Sequence, residues 1–125
     1  MSWRQLPFAP APGTPLCRLD EIADGSGHEV TFGAGHEPFR VLLLRRGDRV
    51  WAYLNRCPHF SLPLNYEPQQ FITLDAAVIM CAHHAAFFRF DDGACFDGPC
   101  MGASLQPIPL QRAADALQVG GGDAD

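Results

Sequence analysis

Two short pairs of soft metal ligands constrain this chain more than any other feature. They are Cys57-x-His59 and Cys81-x-x-His84, with a spacer of 21 residues between them. Thiolate and imidazole together suit zinc or an iron–sulfur centre, so the residue types alone say metal and no more. The spacing within the pairs says more. In Cys57-x-His59 the side chains stand two residues apart, tight for chelating one tetrahedral ion, whereas zinc pairs usually have two to four residues between ligands. A binuclear cluster removes the difficulty, because the two members of a pair can each take a different iron. Two Cys then hold one iron and two His the other, and each loop supplies one ligand to each metal. His83 and His84 are adjacent; the C-x-x-H spacing selects His84 and leaves His83 as a solvated surface imidazole.

The flanking residues extend the pattern. Residues 90–93 read Phe-Asp-Asp-Gly, residues 98–99 Gly-Pro, and residues 51–55, Trp-Ala-Tyr-Leu-Asn, have the character of a strand delivering the first ligand loop. With C-x-H…C-x-x-H, this arrangement resembles the Rieske [2Fe–2S] proteins over residues 39–110, and most of all the small stand-alone bacterial ferredoxin-like members. The resemblance implies an all-β fold of antiparallel sheets with a small cluster-binding subdomain formed by two loops. It implies one [2Fe–2S] cluster per chain, with Cys57, His59, Cys81 and His84 as its ligands. A structural zinc site with the same ligands is the competing reading. The sequence departs from the family in three places: the spacer of 21 is long, Ser61 stands where a Gly often follows the first pair, and Ala85 stands where a Gly usually follows the last ligand. Glycine at such sites permits positive φ or close approach of the backbone to the cluster.

A chain of 125 residues makes one domain with its own core. The expected division is an extended N-terminal segment at 1–15, a Rieske domain at 16–119 with its cluster-binding part near 56–101, and a tail at 120–125. Apolar content of 47%, with 11 Pro and 12 Gly, suits many turns and short strands better than helices. Net charge is −5 and all nine cations are Arg, which excludes the basic face that nucleic acid requires. No window approaches the roughly 20 apolar residues that span a bilayer. Five Cys less the two proposed ligands leave Cys17, Cys95 and Cys100, an odd remainder. With no signal-peptide core at the N-terminus, that points to a reducing compartment and a cytoplasmic, membrane-free protein, expected as a monomer. A Cys95–Cys100 disulfide is sterically conceivable, but free thiols are expected.

Along the chain, Trp3, Leu6 and Phe8 can pin the Pro-rich start, and residues 16–19 read as a first strand with Cys17 as a small apolar side chain. Residues 20–25 read as one helical turn, capped by Asp20 and ended by Gly25. Strands are expected at 29–32, 39–44, 49–54, 77–80, 87–90 and 115–119, with a hairpin turn at 46–48. Leu64, Tyr66 and Phe71 are expected to fold inward from the inter-ligand connection. Residues 105–110 carry Pro107 and Pro109 and fit an edge strand or extended segment.

By chemistry, two thiolates and two neutral imidazoles make a mixed site of higher potential than four Cys, suited to carrying one electron. The expected function is therefore that of an electron carrier and not an enzyme: a soluble Rieske-type ferredoxin between a reductase and a terminal oxygenase or similar redox partner. Pro58, Phe60, Leu62, Pro99 and Met101 are apolar candidates for a docking rim, and Asp91, Asp92 and Asp97 could steer a basic partner. The alternatives are a small Rieske subunit of an oxygenase or nitrite-reductase-type enzyme, or a redox or iron sensor. An oxygenase would need a facial triad of non-heme iron ligands. Of the five His, only His28, His36 and His83 remain, and none sits in such a motif. The resemblance also bears on potential. High-potential members carry a Ser two residues and a Tyr four residues after the last His ligand, positions held here by Ala86 and Phe88. Respiratory members join their ligand loops by a disulfide whose positions fall on Leu62 and His83, so that bridge cannot form here.

Overall fold

The protein is described by a computed structural model that covers residues 2–35, 37–58, 62–65, 67–83 and 85–121. Its strands in chain order are β1 (Pro15–Arg18), β2 (Gly27–Phe32), β3 (Phe39–Arg46), β4 (Arg49–Leu54), β5 (Ile72–Leu74), β6 (Val78–Met80), β7 (Phe87–Arg89), β8 (Cys95–Asp97), β9 (Leu110–Ala113) and β10 (Ala116–Val119). They form three antiparallel sheets, ordered β1-β10-β9, β2-β3-β4 and β5-β6-β7-β8. The expected all-β architecture is the one observed.

β3 separates two cores. Val41, Leu42, Leu43 and Leu44 are all fully buried. Successive side chains of a strand point to opposite faces, so a continuous apolar run needs cover on both. Phe39, Val41 and Leu43 pack with Trp3, Ile22, Ala52, Leu54, Ile108, Leu117 and Val119. Leu42 and Leu44 pack the other way, with Tyr53, Leu64, Ile79, Phe88, Phe90 and both Cys57 and Cys81. Each such side chain contributes about 1.5–3 kcal/mol when removed from water. β4 is paired to β3 through a two-residue turn, Gly47–Asp48, and obeys the same alternation. Gly47 has φ 61°, the left-handed conformation this turn type demands.

The N-terminal segment is anchored at Trp3, which is 4% exposed and meets the Phe39 ring edge-on at 5.9 Å. It also contains a short 3₁₀ turn, Trp3–Gln5. The turn expected at 20–25 is displaced: a 3₁₀ turn covers Leu19–Glu21, and the Glu21 carboxylate, not Asp20, accepts a hydrogen bond at 2.9 Å from the Arg18 N–H. Glu21 lies three residues ahead of that N–H and can curl back, whereas Asp20 pairs with exposed Arg18 at 3.6 Å. β5, β8 and most of β9 lie outside the strands expected from sequence, because their residues alternate too little to be read as such. Residues 105–109 are extended and not a ladder. Leu54 N–H bonds Gln106 O at 2.9 Å and Ile108 N–H bonds Ala52 O at 2.9 Å, while Pro107 between them and Pro109 after them have nothing to donate. Cys17 sits half-buried in β1, where burial and then Glu21 and Asp20 push its thiol up to about 11, so it stays protonated and inert.

Tyr53 ties the hairpin to the third sheet. Its hydroxyl donates to the buried Phe90 carbonyl at 2.6 Å. Burial, and then Asp92 and Asp91, hold the phenol far above its ordinary value. A phenol raised in the folded state gives stability that is fully present below the unfolded value of about 10 and is lost as pH rises beyond it. Tyr53→Phe should therefore cost about 1–3 kcal/mol at neutral pH by stranding the Phe90 carbonyl. It should also flatten the loss of stability above about pH 10; denaturant unfolding at pH 7 and at alkaline pH checks both.

Candidate metal centre

The first ligand loop leaves β4 at Asn55, and a buried polar cluster fixes its path. Asn55 is 3% exposed and Glu29, across the sheet in β2, is 5% exposed. The Asn55 amide donates to Glu29 Oε2 at 2.6 Å and to Asn65 Oδ1 at 2.9 Å. Its oxygen accepts from the Leu64 N–H at 2.9 Å. One side chain thus grips both ends of the loop. Arg40 supplies the compensating charge, with Nη1 at 3.3 Å from Glu29 Oε1. Gln69, from the inter-ligand connection, pairs its amide with the Glu29 backbone in both directions, at 2.8 and 2.6 Å. It caps the open edge of β2 as another strand would. Inside the loop, the Cys57 N–H bonds Leu62 O at 2.7 Å.

The second loop is closed in the same way. The Cys81 N–H bonds Ala86 O at 2.8 Å, and the Ala85 N–H bonds Cys81 O at 3.0 Å. Ala85 has φ 54°, so this position, where the resemblance led us to expect Gly, does require the left-handed conformation, and Ala adopts it at a cost of about 1–2 kcal/mol. The Ala82 N–H bonds Leu64 O at 2.8 Å and joins the two loops. A third loop follows β8. Gly98, at φ 97°, lies so close that a Cβ there would meet Ala86 Cα at 2.8 Å and Ala85 O at 2.9 Å.

Cys57 and Cys81 are both fully buried and belong to the same apolar cluster. His59, Phe60, Ser61, Tyr66 and His84 lie outside the described residues. Among the described residues no three His, Cys, Asp or Glu side chains gather where they could hold a metal. His83 differs from expectation. It is half-buried, with Nε2 shut off from solvent, because the second loop lies against the first and not in open water. None of the five Cys is in a disulfide. Cys95 donates to Asp97 O at 3.3 Å, while the Cys100 sulfur lies 3.2 Å from that of Cys57. Leu62 is 43% and Met101 70% exposed, with Pro58 and Pro99 also at the surface. Asp92 is explained by its turn, since it accepts from the Ala94 N–H at 2.9 Å.

Glu29, Asn55, Asn65, Gln69 and Cys100 were not legible as site residues. Their partners lie 9 to 43 residues away in the chain, at no periodic spacing. Asn55→Ala should strand the Leu64 N–H and one oxygen of buried Glu29, costing about 2–3 kcal/mol. Thermal melts should record the loss, and chromophore bleaching on warming should begin earlier than in the parent protein.

A family model described as Rieske [2Fe–2S] domain matches residues 13–113. No curated protein sequence matches the chain. Among solved structures, the terminal oxygenase of carbazole 1,9a-dioxygenase from Nocardioides aromaticivorans IC177 is 25% identical with TM-score 0.69, over 90% of this chain and 30% of that one. The ferredoxin of carbazole 1,9a-dioxygenase from the same organism is 20% identical with TM-score 0.68, over 90% of this chain and 100% of its own. A chain in a complex of reduced oxygenase and oxidised ferredoxin in carbazole 1,9a-dioxygenase is 24% identical with TM-score 0.66, over 89% of this chain and 94% of that one. The present chain thus spans about 30% of the length of the oxygenase chain it resembles.

Proposed function

We propose that this chain, which belongs to the Rieske [2Fe–2S] family, carries single electrons from a reductase to a terminal oxygenase or similar redox enzyme. In this reading residues 16–119 form the domain and 56–101 its cluster-binding part. The [2Fe–2S] cluster of the family is held by Cys57, His59, Cys81 and His84, and it supplies reversible one-electron storage. The observation that carries the reading is the pair of fully buried thiols, Cys57 and Cys81, on two loops joined directly by the Ala82–Leu64 hydrogen bond. Their chemistry fits the group: two cysteine sulfurs sit in one apolar cluster, and each is followed within three residues by an imidazole.

The chain's own residues perform three tasks. Phe88, Ile79, Leu64 and Leu42 line the interior and keep water from the thiols. Backbone hydrogen bonds across each ligand loop and between them fix the sulfur positions, so that little structure has to move when charge changes. Leu62, Met101, Pro58 and Pro99 form an apolar rim that can meet another protein with little desolvation penalty. Among the described residues no helix is long and apolar enough to cross a membrane. Likeness in fold to the ferredoxin of a dioxygenase system, over the whole of that ferredoxin, supports a carrier that delivers to an oxygenase.

The purified protein should be red-brown and hold two irons and two sulfides, with a paramagnetic signal on reduction. Cys81→Ser and His84→Ala should abolish the signal while His83→Ala retains it. Full zinc occupancy after iron-replete growth would overturn the reading.

The potential follows from the same site. Hydroxyl donors near cluster sulfur stabilise the reduced state and raise the potential. Ala86 and Phe88 are both fully buried and offer none. The potential should lie toward the lower end of the Rieske range of about −150 to +300 mV. Ala86→Ser with Phe88→Tyr should raise it. Voltammetry at neutral pH decides, and a parent value above about +100 mV, high in that range, would refute the assignment.

A further inference from the structure

We propose that Cys100 is a positioning residue for the electron carrier: its thiol donates a hydrogen bond to the Cys57 sulfur and so raises the reduction potential. This rests on the function given above and deepens it. Cys100 and Cys57 lie 43 residues apart in the chain, yet their sulfurs are 3.2 Å apart. Cys57 is fully buried and Cys100 is 3% exposed.

The third loop holds Cys100 there through its own hydrogen bonds and through contact with the second ligand loop. The Met101 N–H bonds Gly98 O at 3.2 Å and the Ala103 N–H bonds Cys100 O at 2.9 Å. Gly98 lets that loop press against Ala85 and Ala86 of the second ligand loop. Cys95, the neighbour with which Cys100 could have paired, turns its own S–H to Asp97 O at 3.3 Å. Cys100 is therefore a thiol aimed at a ligand and not half of a disulfide.

A cysteine that binds metal is deprotonated, and its sulfur then only accepts. An S–H is a weak donor in water. In an apolar interior, beside a thiolate, the same bond is electrostatically strengthened. Reduction adds one negative charge to the cluster, so a donor on its sulfur favours the reduced form. With Ala86 and Phe88 lacking hydroxyls, Cys100 contributes from a third loop the type of contact those two positions do not.

The test uses cluster-loaded Cys100→Ala, Cys100→Val and Cys100→Ser, with midpoint potential, iron content and the paramagnetic signal as readouts. Alanine removes the donor, and valine removes it while filling the space. Both should lower the reduced-to-oxidised ratio at a fixed applied potential about threefold, or ~28 mV at 59 mV per decade for one electron. Serine keeps a donor and should hold the potential at or near the parent value. The proposal is overturned if the valine variant keeps the parent potential, or if serine falls as far as valine. It is also overturned if all three variants lose the cluster, which would make Cys100 a packing wall. Absence of a cluster from the parent protein would instead defeat the electron-carrier reading, so the two failures are distinct.

Discussion

Val41 to Leu44 have no exposed surface on either side of β3, and a strand in that position cannot be stable unless something apolar covers each face. One cover is the sheet of β1, β10 and β9, reinforced by Trp3 and Ile22. The other is the sheet of β5 to β8 together with the ligand loops. Cys57 and Cys81 are therefore not appended to a finished domain. Their side chains are part of the cover for Leu42 and Leu44, so the proposed centre would be built into one of the two hydrophobic cores.

Placing the ligand loops in a core creates a polar problem. The loops must change direction without regular pairing, and buried N–H and C=O groups need partners. Asn55 and Glu29 solve it from the hairpin side, and Gln69 does so from the connection between the loops. A buried carboxylate is costly unless paired and hydrogen-bonded. Glu29 has both, through Arg40 and Asn55. The inter-ligand spacer takes part here, since Gln69 reaches back 40 residues to the edge of β2.

The sequence showed the fold class and the principal hairpin, and it did so for physical reasons. The run at 39–44 is too apolar for one face to lie in water, and Gly47–Asp48 suits a tight turn. What escaped were features decided by distant partners. Residues 95–97 show no strand signal of their own, yet they pair with β7, with Cys95 opposite Phe88. His83 reads from its spacing as a solvated imidazole, yet it is half-buried where Ala82 joins the two loops. The Ala85 departure was visible, but only its φ of 54° shows that the glycine conformation survives without the glycine.

Three loops, and not two, meet at the centre. The first and second are joined by the Ala82 N–H to Leu64 O, the second and third by the approach of Gly98 to Ala86, and the third returns to the first at Cys100 and Cys57. The contacts close a ring, so displacing any one loop strains the other two. A carrier that gains and loses one charge works fastest when its surroundings scarcely rearrange, and closure of that kind supplies the stiffness. Met101, at 70% exposure, sits on the third loop one residue from Cys100. A protein docking on the apolar rim of the proposed carrier would therefore meet the same loop that brings Cys100 to Cys57.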